Sequence, residues 1–144
     1  MKTLKSLLFA ALLLVSTVAA KAADLPNVDK LSQSYAVNIY VNAISQGKLA
    51  GFSEIIDSSA KFSLMRGNKV MSFSKEQLLK FMNANADVKQ DCTTSTSVVE
   101  NNADITVIKV DMQYSNFVRS NYVTLANTGN GWKITNVHSV FNNI

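Results

Sequence analysis

The sequence predicts an α+β fold: about three helices packed on one face of a curved, mostly antiparallel sheet of about six strands. Two observations lead to this prediction. Apolar residues recur with helical spacing in the first part of the chain and in one central stretch, whereas the last third alternates with period two. Asn- and Gly-rich turns join the later stretches, as in antiparallel hairpins. Such a sheet, covered by a long helix, leaves a hollow suited to a small molecule.

The strand pattern is clearest between Ile105 and Tyr114, where every second residue falls on one apolar face. The members of that face are Thr106, Ile108, Val110, Met112 and Tyr114. The residues 127–131, Asn-Thr-Gly-Asn-Gly, predict a turn because Gly and Asn tolerate positive φ. The predicted strands cover residues 60–65, 70–73, 91–99, 105–114, 119–126 and 132–141.

Three helices are predicted to cover that sheet. The first runs over about 28–46 and stops at Gly47, a residue typical of helix ends. A shorter one is predicted over 48–56, where apolar residues again recur at helical spacing. Ser74 and Gln77 predict a capping box at the start of the third, which ends within 83–87.

Residues 1–22 have the pattern of a secretory signal peptide, and residues 23–144 form the predicted domain. Lys2 and Lys5 precede an apolar run that is short for a membrane span, and small residues follow at Ala20 and Ala22. We therefore expect an exported protein, periplasmic or extracellular, with no membrane association after cleavage. The alternative is an uncleaved N-terminal anchor.

Charge and cysteine content restrict the function further. Lys2, Lys5 and Lys21 are three of the 14 basic residues, so cleavage after Ala22 leaves 11 basic and 10 acidic residues, a net charge of +1. Basic residues are scattered, which predicts no nucleic-acid partner. Cys92 is the single cysteine and is expected to be a small buried residue. We expect no metal and no cofactor.

Three stretches resemble the nuclear-transport-factor-two-like superfamily, also called the cystatin-like α+β cone. They are residues 40–48 (Tyr-Val-Asn-Ala-Ile-Ser-Gln-Gly-Lys), 55–62 (Ile-Ile-Asp-Ser-Ser-Ala-Lys-Phe) and 131–139 (Gly-Trp-Lys-Ile-Thr-Asn-Val-His-Ser). Within the superfamily the chain is most similar to small bacterial proteins labelled "putative lumazine-binding" or polyketide-cyclase-like. The superfamily holds isomerases, dehydratases, binding modules and dimerisation domains, so the resemblance implies the fold and leaves the activity open.

The resemblance also allows the catalytic positions of relatives to be compared with this chain. Tyr40 falls where ketosteroid isomerases place a tyrosine that donates to the enolate oxygen. Their general base falls near Leu64, where this chain offers no carboxylate, and their protonated acid falls near Tyr122. Dehydratases of the superfamily use a His–Asp pair; His138 is the single histidine, and Asp111 is one candidate partner.

Seven residues are candidates for the wall of the hollow or for contact with a ligand. They are Tyr40, Phe62, Phe81, Tyr114, Arg119, Trp132 and His138. Arg119 is the candidate for an anionic ligand, with a solvated edge arginine as the alternative. For the aromatic residues the alternative is a place in the core, and for His138 a surface position.

The favoured hypothesis is an exported, noncatalytic domain that binds a small apolar or aromatic ligand. One alternative is an isomerase- or dehydratase-like lyase that uses His138 and Tyr40. The other is a homodimerisation module, since residues 105–110 leave both faces of one strand partly apolar. A homodimer is expected with the binding function as well.

Overall fold

The computed structural model describes residues 28–144, so the predicted signal peptide at 1–22 lies outside the described residues. A 3-10 turn at Val28–Leu31 leads into helix α1. The helices are α1 (Gln33–Gln46) and α2 (Lys75–Ala84). The strands are β1 (Ile56–Arg66), β2 (Lys69–Ser74), β3 (Thr93–Asn101), β4 (Ile105–Gln113), β5 (Phe117–Asn127) and β6 (Trp132–Asn143).

The six strands form one open sheet in the order β2-β1-β6-β5-β4-β3. Strands β1 and β6 pair in parallel, and the other neighbours pair antiparallel. The predicted α+β class, the six strands and the mostly antiparallel sheet are therefore confirmed. β6 joins a two-stranded hairpin on one side to a three-stranded meander on the other.

Both helices pack on the same face of this sheet and share one core. Strand β4 shows why: its buried residues are Thr106, Ile108, Val110 and Met112, and those between them are more exposed. This is the alternation that the sequence predicts for a strand with one covered face. Tyr40 and Phe52 both lie in this core, and the centroids of their two rings are 6.4 Å apart.

The predicted helix over 48–56 is wrong, and the number of α-helices is two. Gly51 has a φ of 77°, a left-handed conformation that interrupts an α-helix. The backbone forms successive turns instead, with hydrogen bonds from Phe52 to Leu49 and from Glu54 to Gly51. Phe52 and Ile55 are still buried. The apolar spacing therefore predicted which residues are buried, but not the conformation of the backbone.

The predicted capping box of α2 and the predicted end of α1 are confirmed. Ser74 Oγ accepts from the Gln77 amide at 3.2 Å, and Gln77 Oε1 accepts from the Ser74 amide at 2.9 Å. Gly47 ends α1 with a φ of 68°, and its amide donates to the Ala43 carbonyl. Helix α1 itself begins later than predicted, after the N-cap Ser32.

The end of α1 is tied to the segment that follows α2. The Asp87 amide donates to the Gly47 carbonyl at 3.0 Å, and the Gln90 amide donates to the Ser45 carbonyl at 2.7 Å. Lys48 and Asp87 also form an exposed ion pair at 2.8 Å. A Cβ on Gly47 would lie 2.7 Å from the backbone nitrogens of Asp87 and Val88, so this contact requires a glycine.

Gly47→Ala is expected to destabilise the fold more than Gly67→Ala. Both glycines have positive φ, and alanine there costs about 1–2 kcal/mol. A Cβ on Gly67 meets no atom within 4 Å, whereas one on Gly47 meets fixed backbone. We expect Gly47→Ala to lose at least about 1 kcal/mol more in the free energy of unfolding, as overpacking does. Urea unfolding measures both variants, and equal losses would contradict the close contact.

Candidate ligand-binding site

A cavity of about 790 Å³ lies between the two helices and the covered face of the sheet. This volume is in the range of small-molecule sites. Its wall is mostly apolar: α1 contributes Tyr40 and Ala43, α2 contributes Leu78 and Met82, and the strands contribute a further set. That set includes Phe62, Phe73, Val137 and Phe141.

A group of three hydrogen-bonded side chains on β5 and β6 forms the polar part of the sheet side of the site. Arg119 Nε donates to Asn121 Oδ1 at 2.9 Å, and Ser139 Oγ donates to the same oxygen at 2.6 Å. Asn121 is fully buried, and its Nδ2 donates to the Val110 carbonyl at 3.2 Å. We call Arg119, Asn121 and Ser139 the polar triad; it holds the arginine side chain against the cavity wall.

Alternation along the strands explains why these three side chains meet. Arg119 and Asn121 are two residues apart, so they point to the same face of β5. Asn121 pairs with Ser139 across the β5–β6 ladder, and Arg119 pairs with Phe141. The Arg119 guanidinium carbon accordingly lies 5.8 Å from the centroid of the Phe141 ring, a cation–π distance.

Tyr40 lines from α1 the same cavity that Arg119 and Ser139 line from the sheet. Its side chain lines the cavity, although the residue is only 2% exposed to solvent. Burial raises the pKa of Tyr40 to about 12, and the charge of Arg119 acts in the opposite direction. The phenol is therefore neutral at pH 7 and can donate a hydrogen bond into the cavity.

Four of the seven predicted site residues are brought together at the cavity: Tyr40, Phe62, Phe81 and Arg119. Phe81 is 64% exposed and lies at the rim on α2. The role of these four residues in ligand binding stays a prediction.

The other three predicted residues lie outside the cavity lining. Tyr114 stacks on Phe117, with ring centroids 4.4 Å apart, and its hydroxyl donates to Gln90 at 3.2 Å. Trp132 begins β6 and packs against the core. Burial is the main cause that raises the pKa of the Tyr114 hydroxyl.

His138 points away from the cavity, because its neighbours Val137 and Ser139 both line it and side chains alternate along a strand. The His138 Nδ1 atom lies 2.6 Å from Ser63 Oγ, with which it is paired across the β1–β6 ladder. The structure therefore does not bring His138 and Tyr40 together. Asp111 accepts from Ser120 and pairs with Lys109, so its described contacts do not include His138.

Sequence reasoning did not single out Asn121 and Ser139 as site residues, nor Leu78 and Met82 of α2. The signal for Asn121 was present, since it lies two residues from Arg119 and therefore shares its strand face. Ser139 could be found only with the β5–β6 register. Among residues 28–144, no group of three or more acidic, histidine or cysteine side chains has a metal-binding arrangement.

Comparison with protein families identifies the chain. The family described as putative lumazine-binding matches residues 32–140, so this chain belongs to that family. A comparison with curated proteins finds no match. The family match confirms the resemblance drawn from the three sequence stretches.

Solved structures show the same fold at low identity. An NTF-2 like protein of unknown function from Silicibacter pomeroyi is 18% identical with a TM-score of 0.60, over 77% of this chain and 92% of that one. A cystatin-like fold protein from Burkholderia xenovorans is 14% identical with a TM-score of 0.61, over 77% and 89%. A protein described as a "putative ketosteroid isomerase" from Parabacteroides distasonis is 16% identical with a TM-score of 0.52, over 74% and 85%. These likenesses show the nuclear-transport-factor-two-like fold alone.

Stability at alkaline pH is expected to depend on Tyr40. Its pKa is raised from 10.0 to about 12 in the folded state, so its stabilising contribution is complete below pH 10 and is lost as the pH rises towards 12. Between pH 9 and pH 11 the wild type should lose about 1 kcal/mol more than Tyr40→Phe. Urea unfolding across that range measures the difference, and parallel pH profiles would contradict a buried neutral phenol.

Proposed function

We propose that this domain binds a small, largely apolar ligand in the cavity and acts as a binding module rather than as an enzyme. The main observation in support of this proposal is the cavity of about 790 Å³ with its apolar wall. The family description, putative lumazine-binding, supports a small organic ligand.

The titratable side chains of the described cavity lining support binding without catalysis. They are Tyr40, Lys80 and Arg119, with no carboxylate and no imidazole among the described lining residues. Removing a proton next to a carbonyl requires a positioned base, commonly a carboxylate or histidine. His138, the candidate base of the alternative lyase hypothesis, faces the other side of the sheet.

We also propose that the protein is exported, on the basis of the signal-peptide pattern in residues 1–22. In the part of the chain that the structure describes, no helix has the length and apolar character needed to span a membrane. Mass spectrometry of the protein purified from culture fractions tests export. A mature chain that begins at Ala23 supports it, and an intact Met1 overturns the predicted cleavage.

The neutral fluorescent probe N-phenyl-1-naphthylamine is expected to bind the wild type saturably, because its emission rises in an apolar environment. Leu78→Trp should weaken binding about tenfold or more, since the larger side chain occupies part of the cavity. Fluorescence titration measures both affinities.

Glu76→Trp is the matched control, because Glu76 lies on α2 as well, is exposed and is outside the cavity lining. Its affinity for the probe should stay close to that of the wild type. Thermal unfolding of both variants checks that they fold. Absence of probe binding by the wild type, or equal loss in the two variants, would overturn the proposed function.

A homodimer through the other face of the sheet is a second proposal. No element within residues 28–144 covers that face, and it exposes 37% of Tyr122 beside the half-buried Val107 and Val140. Lys109 and Asp111 form an ion pair at 3.1 Å on the same face, so that face holds charges of both signs. A second copy of the chain, related by a two-fold axis, fits such a surface.

Tyr122→Glu is expected to convert the dimer to a monomer in sedimentation velocity, because two buried carboxylates would face each other across the axis. Val98→Glu is the control: Val98 is 65% exposed, but it pairs with Ile108 on the cavity face. This control should remain dimeric. A monomeric wild type at tens of micromolar, on the order of the affinity of a weak specific dimer, would end the proposal.

A further inference from the structure

Arg119 carries a positive charge into an apolar cavity without an acidic partner in the described chain. The ion pairs among residues 28–144 are Lys48–Asp87 and Lys109–Asp111, and neither includes Arg119. Its described hydrogen bonds go to neutral atoms: Nε to Asn121 at 2.9 Å and one terminal nitrogen to Ser139 at 3.5 Å. Arg119 is half-buried, and a charge that is partly removed from water is costly unless it is paired.

The guanidinium group keeps donors that these contacts do not use. It has five N–H groups in a planar fork, and the two described bonds use two of them. The polar triad holds the Nε side of the fork against the sheet. The remaining donors belong to the outer edge of a group that lines the cavity.

Tyr40 supplies a second donor in the same region. None of the hydrogen bonds described for residues 28–144 involves its hydroxyl, and every fully buried polar side-chain atom there has a partner, so this hydroxyl is open to the cavity that Tyr40 lines. The charge of Arg119 influences its ionisation, which places the two groups in one electrostatic environment. A guanidinium group and a neutral phenol both donate hydrogen bonds, so a ligand that contacts both must offer hydrogen-bond acceptors.

The rest of the cavity defines the remainder of the ligand. The lining side chains near the centre are apolar, among them Phe62, Leu78, Met82 and Val137. One guanidinium balances one negative charge, and its fork matches the two oxygens of a carboxylate. Lys80 is the other cation of the lining, but it is exposed on α2.

We propose that the cavity binds an apolar monocarboxylate, an aromatic or alicyclic acid whose carboxylate accepts from Arg119 and Tyr40 and whose body fills the apolar part. This inference rests on the proposed ligand-binding function and specifies the ligand class. Asn121 and Ser139 act as positioning residues, because they fix the guanidinium and do not need to touch the ligand.

The test compares 2-naphthoate with its neutral analogue 2-naphthamide at pH 7 by isothermal titration calorimetry. Both probes have the same aromatic body, so the difference reports the charge. The wild type is expected to bind the carboxylate at least about tenfold more tightly, as charge-assisted hydrogen bonds to a fork do. Equal affinities, or failure of both probes to bind, would overturn the inference.

Single variants test which side chain causes the preference for 2-naphthoate over 2-naphthamide. Arg119→Gln should abolish it by weakening naphthoate at least about tenfold, while the affinity for naphthamide changes less than about threefold. Arg119→Lys, which keeps the charge without the fork, should keep part of the preference. Lys80→Gln is the matched control and should keep all of it. A preference that survives in Arg119→Gln, or that is lost in Lys80→Gln, would overturn the assignment.

The outcome also separates this inference from the proposed function. Binding of N-phenyl-1-naphthylamine without any preference for naphthoate overturns the carboxylate class alone. Absence of binding for all three probes overturns both. Naphthamide affinity serves as the folding control in each variant, and the comparison of the two probes on the wild type decides the question even where a variant does not fold.

Discussion

Two helices are too short to cover one face of this sheet, and the ligand site follows from that mismatch. Helix α1 has 14 residues and α2 has 10, so they are about 21 Å and 15 Å long. Strand β6 has 12 residues, about 40 Å in extended form, and six strands span about 24 Å between the outer axes. The helices bury the middle of the covered face, and the remaining apolar surface becomes the wall of a cavity.

The polar triad is compatible with its apolar surroundings because its members hydrogen-bond to one another. Asn121 is fully buried, yet its amide oxygen accepts two hydrogen bonds and its nitrogen reaches a strand carbonyl. Among the described residues, every fully buried side-chain polar atom has a hydrogen-bond partner. The triad can therefore hold a charged side chain beside the Phe141 ring without a buried unpaired amide.

The sequence predicted the sheet better than it predicted the site. All six strands could be read from the chain, because β-branched composition and period-two alternation are both local signals. The helix over 48–56 failed because apolar spacing does not report the positive φ of Gly51. Arg119 could be named because it is a charged residue in a strand. Tyr40 could be named because it falls where ketosteroid isomerases place a tyrosine. The separation of Tyr40 from His138 could not be predicted, since it depends on the pairing of β6 with β1, in which Ser63 lies 75 residues from its partner His138.

The central position of β6 has a consequence for how the domain acquires its structure. The β1–β2 hairpin and the β3–β4–β5 meander do not touch as strands; both are joined only by β6, which follows them in the chain. The chain emerges from a ribosome or an export channel with its N-terminus first, so every other described element appears before the strand that unites the sheet. Until then the hairpin and the meander have unpaired edges, and the late arrival of a long-range strand is typical of slow folding. The domain thus completes its fold only after Trp132–Asn143 has been synthesised.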